Sequence, residues 1–346
     1  MKVSKVSFFF FILTYNYLLL RALVFPYLYN QYGVNGYIYI GIILLIVSLF
    51  FLILPRKFIS IDLLRMYRNS KIKYLVNIVL LLRIGFGAYY GATTISYLFF
   101  KDTSPWILVV GLYLLIIILS SLKPSDVIQI TTLFGIVILI TYLAYMVSFV
   151  SPDFSAIYFL YDFKIKPFVF LFSMLLIGDN YLILFCNKDD FEFSKKTFLI
   201  ALTITFIFFC FEYMSLTLTF GDFYFKNMNY IGFISLGIKS VSRYFGNFEY
   251  VYILLITASS VFKFSYFFSI VKYSFDFKTK LKKNDNLIYL PIIVLICLIA
   301  IIINKINQDI FLNTITILIG LCFFTIIYGI KIFIINLKEW YNARKI

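Results

Sequence analysis

The stretch SFFFFILTYNYLLLRALVFPYLY, residues 7–29, is long and apolar enough to cross a bilayer as one helix, yet it carries Asn16, Arg21 and Pro26 at mid-membrane depth. Farther along, KPFVFLFSMLLIGDNYLILFC, residues 166–186, repeats the pattern, interrupted by Gly178, Asp179 and Asn180. A polar or helix-breaking residue in hydrocarbon is costly unless it faces protein or a watery cavity. Two interrupted spans in corresponding places therefore point to an inverted-repeat membrane fold with a pocket between them.

Composition agrees with that class. Of 346 residues, 62% are apolar or aromatic and 14% are charged, with a mean hydropathy of +0.96, far from the balance of a soluble domain. Apolar runs bounded by charged or turn residues give candidate spans at 7–29, 35–54, 73–100, 106–122, 127–150, 166–186, 196–220, 248–274, 287–304 and 311–336. The expected fold is an all-α integral membrane protein of about ten transmembrane helices. It forms one domain over residues 1–346, built as two inverted five-helix repeats at 7–150 and 166–336. Met1-Lys2-Val3-Ser4-Lys5 precedes the first run like a signal peptide, but no small-residue cleavage site follows, so the reading is a retained span.

The long connections support the repeat. Residues 55–72, PRKFISIDLLRMYRNSKI, are basic and amphipathic, and residues 221–247 form the other long connection. They hold equivalent places in the two halves, and an odd number of spans per half puts them on opposite sides of the membrane. With both termini cytoplasmic, one side carries 21 Lys and Arg residues and the other seven, an asymmetry that sets the orientation. The net charge of +15 is thus a topology signal spread over short loops, and no nucleic-acid partner is expected.

Three basic residues, Arg21, Arg83 and Lys263, and two acids, Asp179 and Glu212, lie inside spans and are candidates for a polar interior. They could equally pair with one another simply to hold the bundle. The candidate ligand-binding set from the interrupted spans is Asn16, Tyr17, Leu20, Arg21, Gly178 and Asp179. Span three adds Tyr90, Gly91 and Thr94, where Gly87 and Gly91 form a small face for close helix approach, and span eight adds Thr257 and Ser260. Histidine is absent, and the cysteines Cys186, Cys210, Cys297 and Cys322 fall in or beside apolar runs. His-based metal sites and Ser-His-Asp or Cys-His catalysis are therefore excluded. No metal or cofactor is expected, nor a nucleotide-binding loop.

The run YLFFKDTSPWILVVGLYLLIIILSSLKPSDVIQI, with Thr103-Ser104-Pro105-Trp106 opening span four, resembles the corresponding segment of the spore germination receptor B subunits (GerAB type). The run GIKSVSRYFGNFEYVYILLITASSVFKFSYFF resembles their entry into span eight, with Asn247-Phe248-Glu249 where an Arg-x-acid pattern is usual and Lys263 where a lysine is common. Gly178-Asp179 is similar to the family's Gly and acidic pair. Leu19-Leu20-Arg21 replaces a Gly-rich stretch ahead of the matching Pro26, and Gln129 stands where an arginine is common. The resemblance covers essentially the whole chain. It implies a LeuT-like fold of the amino acid/polyamine/organocation type and residence in the inner membrane of a bacterial cell or spore. It further implies assembly with an A subunit and a lipoprotein C subunit, and a B-subunit site for a small solute, often an amino acid.

Three functions compete on these grounds. The first is a germinant-sensing, non-enzymatic membrane subunit that binds a small solute at mid-membrane; Arg21 would clamp a carboxylate or pair with Asp179. The second is an amino acid permease, proton- or sodium-coupled, with Asp179 and Glu212 as the ion residues. The third is a membrane enzyme of polysaccharide assembly, but the outer loop Gly221 to Asn247 offers no histidine and no evident acid pair.

Overall fold

The computed structural model describes residues 3–20, 24–53, 104–122, 124–147, 194–227 and 248–274, scattered positions between 73 and 96, and residues 164, 165, 180, 183 and 334. Among these residues the elements are all helices, with no strand. Four stretches are long and apolar enough to cross a membrane, Gly33–Ile53, Ser125–Leu143, Lys195–Leu218 and Leu254–Lys272, with Ile107–Ser120 a shorter apolar helix. The described residues are thus all-helical, with helices of the length and composition of a membrane protein.

The first span begins with α1, Lys5–Leu19. Extended Ser4 caps it by accepting the Ser7 N–H at 3.0 Å, which satisfies a donor of the first turn. Leu20 and Val24 keep right-handed dihedrals (φ −62°, ψ −44° and φ −70°, ψ −43°), but their helical winding is of the wider π type. Helix α2, Phe25–Tyr32, follows with Pro26 in its first turn. Proline is accommodated in a first turn, where the N–H it lacks is one the helix itself does not use. Such π bulges often mark functional positions. Arg21 lies outside the described residues.

At the far end of α2, Gly33 adopts φ 58°, ψ −143°, a backbone region that side chains disfavour. The chain reverses through a 3-10 turn, Gly33–Asn35, into α3, Gly36–Ile53. Tyr32 and Tyr39 stack across this corner at 3.7 Å. Helix α4, Pro105–Ser120, and helix α5, Pro124–Val147, both open on proline, which lacks the N–H that a first turn leaves unpaired. Helix α6 is Lys195–Asn227 and α7 is Phe248–Ser274.

Packing fixes the directions of these helices. Lys195 Nζ donates to Leu52 O, Phe51 meets Phe198 at 4.5 Å, Cys210 Sγ reaches Tyr37 O at 3.9 Å, and Tyr213 OH donates to Gly33 O. Rising numbers on α3 thus meet falling numbers on α6, and the two run antiparallel. By the same test α4 and α7 run parallel, because Ser265 Oγ donates to Ile116 O at 3.3 Å and Lys272 Nζ to Ser120 O at 3.1 Å. Helix α1 is central, packed against α5, α6 and α7. Its fully buried Phe11, Tyr15 and Tyr17 supply much of the apolar contact that association in a membrane depends on. At Gly135 of α5, an added Cβ would come within 2.6 Å of Phe10 Cβ, so the absence of a side chain there sets the α1–α5 spacing.

Two boundaries differ from the sequence reading. Gly221 and Asp222, expected to open a loop, are internal to α6; a long helix already nucleated tolerates one glycine at a cost of about 1 kcal/mol. Lys272, which lies at the end of the expected span 248–274 and was counted with the lysines that follow it on the cytoplasmic side, is 4% exposed within α7. The expected spans 287–304 and 311–336 lie outside the described residues apart from Ile334, which is helical.

Candidate functional site

Asn16 sits one turn before the end of α1 with no exposed surface. Its amide donates to Ile12 O at 3.0 Å and to Asn180 Oδ1 at 3.1 Å. The Ile12 carbonyl fixes the amide's orientation, since it cannot donate to an inverted side chain. Asn16 Oδ1 is left without a hydrogen-bond partner among the described residues. A buried amide oxygen in that condition costs about 1–3 kcal/mol until something donates to it. The structure thus joins the polar centre of the first span to Asn180, the residue after Gly178-Asp179. Asn180, like Leu20 and Val24, is π-helical.

A second contact holds the same part of the chain. Tyr266 OH on α7 donates to Ile183 O at 3.2 Å, and the Tyr266 ring packs edge-on against Phe11 at 5.3 Å and Tyr15 at 6.3 Å. Residues 180 and 183 are therefore held from α1 on one side and α7 on the other. Lys263, 3% exposed, places its ammonium 4.9 Å from the centre of the Tyr15 ring, where the negative face of the ring attracts a cation. One turn before it on α7, Ser259 is fully buried, and its hydroxyl has no hydrogen-bond partner among the described residues. Glu212, 2% exposed, is buried on α6.

The expected site residues divide between those brought together and those committed to packing. Asn16 lies at the junction itself. Tyr17 is fully buried, with its ring 5.7 Å from Tyr142, which in turn stacks on Phe208 at 5.5 Å; this aromatic column ties α1 to α5 and α6. Leu20 is buried at the π bulge. Ser260 donates to Ile256 O of its own helix at 2.8 Å, and Thr257 is half-buried. Arg21, Tyr90, Gly91, Thr94, Gly178 and Asp179 lie outside the described residues.

Asn180, Tyr15 and Tyr266 were missing from the expected set, whereas Ser259 stands in sequence with Thr257 and Ser260 among the hydroxyls of the eighth span. Asn180 carried a signal, as the third polar residue of the interrupted sixth run. Tyr15 and Tyr266 carried none in a chain that is 21% aromatic. Among the described residues no three Cys, Asp or Glu side chains gather in a way that could hold a metal. The arrangement offers buried neutral hydrogen-bonding groups, an ammonium and aromatic faces, which is chemistry for binding. No family model matches the chain, and no curated protein matches its sequence.

Proposed function

We propose that the protein binds a small solute at mid-membrane, between the first and sixth spans of a ten-span, LeuT-like inverted repeat, and acts as the germinant-sensing subunit of a spore germination receptor. The observation that carries the proposal is the Asn16–Asn180 hydrogen bond, with Asn16 Oδ1 a buried acceptor that has no partner among the described residues. The directions of the described helices support the ten-span reading. Helix α3 ends beside the start of α6, and α4 runs parallel to α7. One crossing within residues 54–103 and one within 148–193, the third and sixth spans of the sequence reading, would give that arrangement. Helices α3 and α6, which hold equivalent places in the two halves as spans two and seven, pack against each other, as a pseudo-two-fold relation between the halves expects.

In this reading an amino acid or a similar solute favours one of two conformations and shifts their balance by its differential affinity. The signal passes to A and C subunits in the inner membrane, with both termini of this chain in the cytoplasm. The test is thermal-shift scanning of amino acids, sugars and nucleosides on the purified protein, repeated on Arg21→Ala for any hit. A stabilising solute whose effect disappears in Arg21→Ala supports the site. A hit unchanged by that substitution puts the solute elsewhere.

Buried Glu212 favours a second reading, a proton- or sodium-coupled permease. Accumulation of the same solute in vesicles, abolished by collapsing the ion gradient, would select it over the receptor.

A further inference from the structure

Lys272 lies near the C-terminal end of α7, a position where a membrane lysine ordinarily extends its ammonium to the interface. Here the side chain turns inward. Its Nζ donates to Ser120 O at 3.1 Å and to Ser120 Oγ at 3.0 Å, and it lies 5.0 Å from the centre of the Phe268 ring. Ser120 is the last residue of α4 and is itself 3% exposed. The carbonyls at a helix C-terminus have no partners within the helix and carry the negative end of its dipole, so an ammonium there is doubly favoured.

The rest of the α4 terminus is already satisfied. Ser120 Oγ donates to Ile117 O at 2.8 Å, Ser121 Oγ to Ile118 O at 2.6 Å, and the Leu122 N–H to Leu119 O at 3.1 Å. Among the described residues, the partner of Ser120 O is Lys272. Above this contact, among the described residues of the two parallel helices, Ser265 Oγ donates to Ile116 O at 3.3 Å. That hydroxyl also has Val261 O of its own helix at 2.6 Å. Having a single proton, Ser265 satisfies itself when the helices part. Lys272 differs, because among the described residues both hydrogen bonds of its ammonium go to Ser120 of α4.

We propose that Lys272 is a latch: by capping α4 it holds the ends of α4 and α7 together at one face of the bundle, and its release lets that end open. The opening is also chemically feasible. A lysine this close to a helix end reaches water by straightening its four-carbon stem, so the ammonium exchanges Ser120 for solvent without being stranded in hydrocarbon. The latch goes beyond the solute site proposed above. It involves neither Asn16 nor Asn180, and its test needs no ligand.

Hydrogen exchange followed by mass spectrometry, on the full chain in detergent, tests the proposal. In Lys272→Met, peptides covering the last turns of α4 and α7 should exchange about tenfold faster than in the native protein, as expected from losing hydrogen bonds to a charged donor. Peptides from α3 should keep their native rates. Lys272→Arg, which keeps a donor, should restore most of the protection. Ser120→Ala removes the hydroxyl and leaves the carbonyl, so it should give a smaller acceleration in the same peptides. It also serves as the milder probe if Lys272→Met does not fold. Unchanged exchange at the end of α4 in both Lys272→Met and Ser120→Ala would overturn the latch. So would an acceleration spread equally over α3, which would mark Lys272 as a general contributor to stability.

Discussion

If Asn16 and Asn180 are coupled as their geometry indicates, a double-mutant cycle across them has a calculable outcome. Asn16→Ala removes the donor 3.1 Å from Asn180 Oδ1 and leaves that acceptor buried. Asn180→Ala strands an Asn16 N–H whose residue has no exposed surface. Each single substitution therefore combines a lost hydrogen bond, about 0.5–1.5 kcal/mol net, with desolvation of the group left behind, about 1–3 kcal/mol. One credit offsets part of the first cost, since Asn16→Ala also eliminates the unpartnered Oδ1. Asn16→Ala should consequently be the milder of the two. The double variant leaves no stranded partner across the pair, so the coupling energy should fall near 1 kcal/mol, above the mean of about 0.6 kcal/mol and below the maximum of about 1.7 kcal/mol met for polar pairs between membrane helices. Equilibrium denaturant titration of the four proteins in one detergent, followed by circular dichroism, measures it. Additive losses, with coupling indistinguishable from zero, would refute the contact between the first span and residue 180.

Further outcomes follow from close contacts elsewhere. Gly135→Ala should destabilise the protein by about 1–3 kcal/mol in the same titration, because the new Cβ would meet Phe10 Cβ at 2.6 Å and that atom moves only with the α1 backbone. Tyr213→Phe should cost about 1 kcal/mol by leaving Gly33 O without its hydroxyl donor, while Gly36→Ala, whose Cβ would overlap the Tyr213 ring, should cost more. For Arg21 and Asp179, if they pair in the empty state, Asp179→Ala alone should impair folding or response, and the double Arg21→Ala, Asp179→Ala variant should regain part of the loss. Equal damage in single and double variants would rule out that pairing.

How far the sequence anticipates the molecule depends on the kind of signal. The span 248–274 matches α7 at both ends, because Gly246 before it and a lysine-rich stretch after it are strong boundary signals. The end of α6 was not legible, because one glycine is a weak stop for a helix of that length. Pro26 was correctly singled out, but its effect was not readable. Whether a proline breaks a helix or begins one depends on the winding just before it, and the π turns at Leu20 and Val24 leave no pattern in residue types. That Asn16 would have a buried partner was legible, because an amide in an apolar run needs one, and Asn180 supplies it. Tyr17 was not separable from packing, since its column with Tyr142 and Phe208 looks in sequence like any other aromatic residue. The inward turn of Lys272 was invisible for a related reason. Hydropathy assigns a terminal lysine to the interface, and only the neighbouring helix end reveals an acceptor.

The most direct measurement is the affinity of the native protein for its stabilising solute, compared with Asn16→Leu, Asn180→Leu and, as a distant control, Tyr213→Phe, by isothermal titration in detergent. The account predicts at least tenfold weaker binding in both asparagine variants, about 1.4 kcal/mol each, and native affinity in Tyr213→Phe. Native affinity in Asn16→Leu and Asn180→Leu, with both proteins folded, would contradict a solute site at the junction of the first span and residue 180.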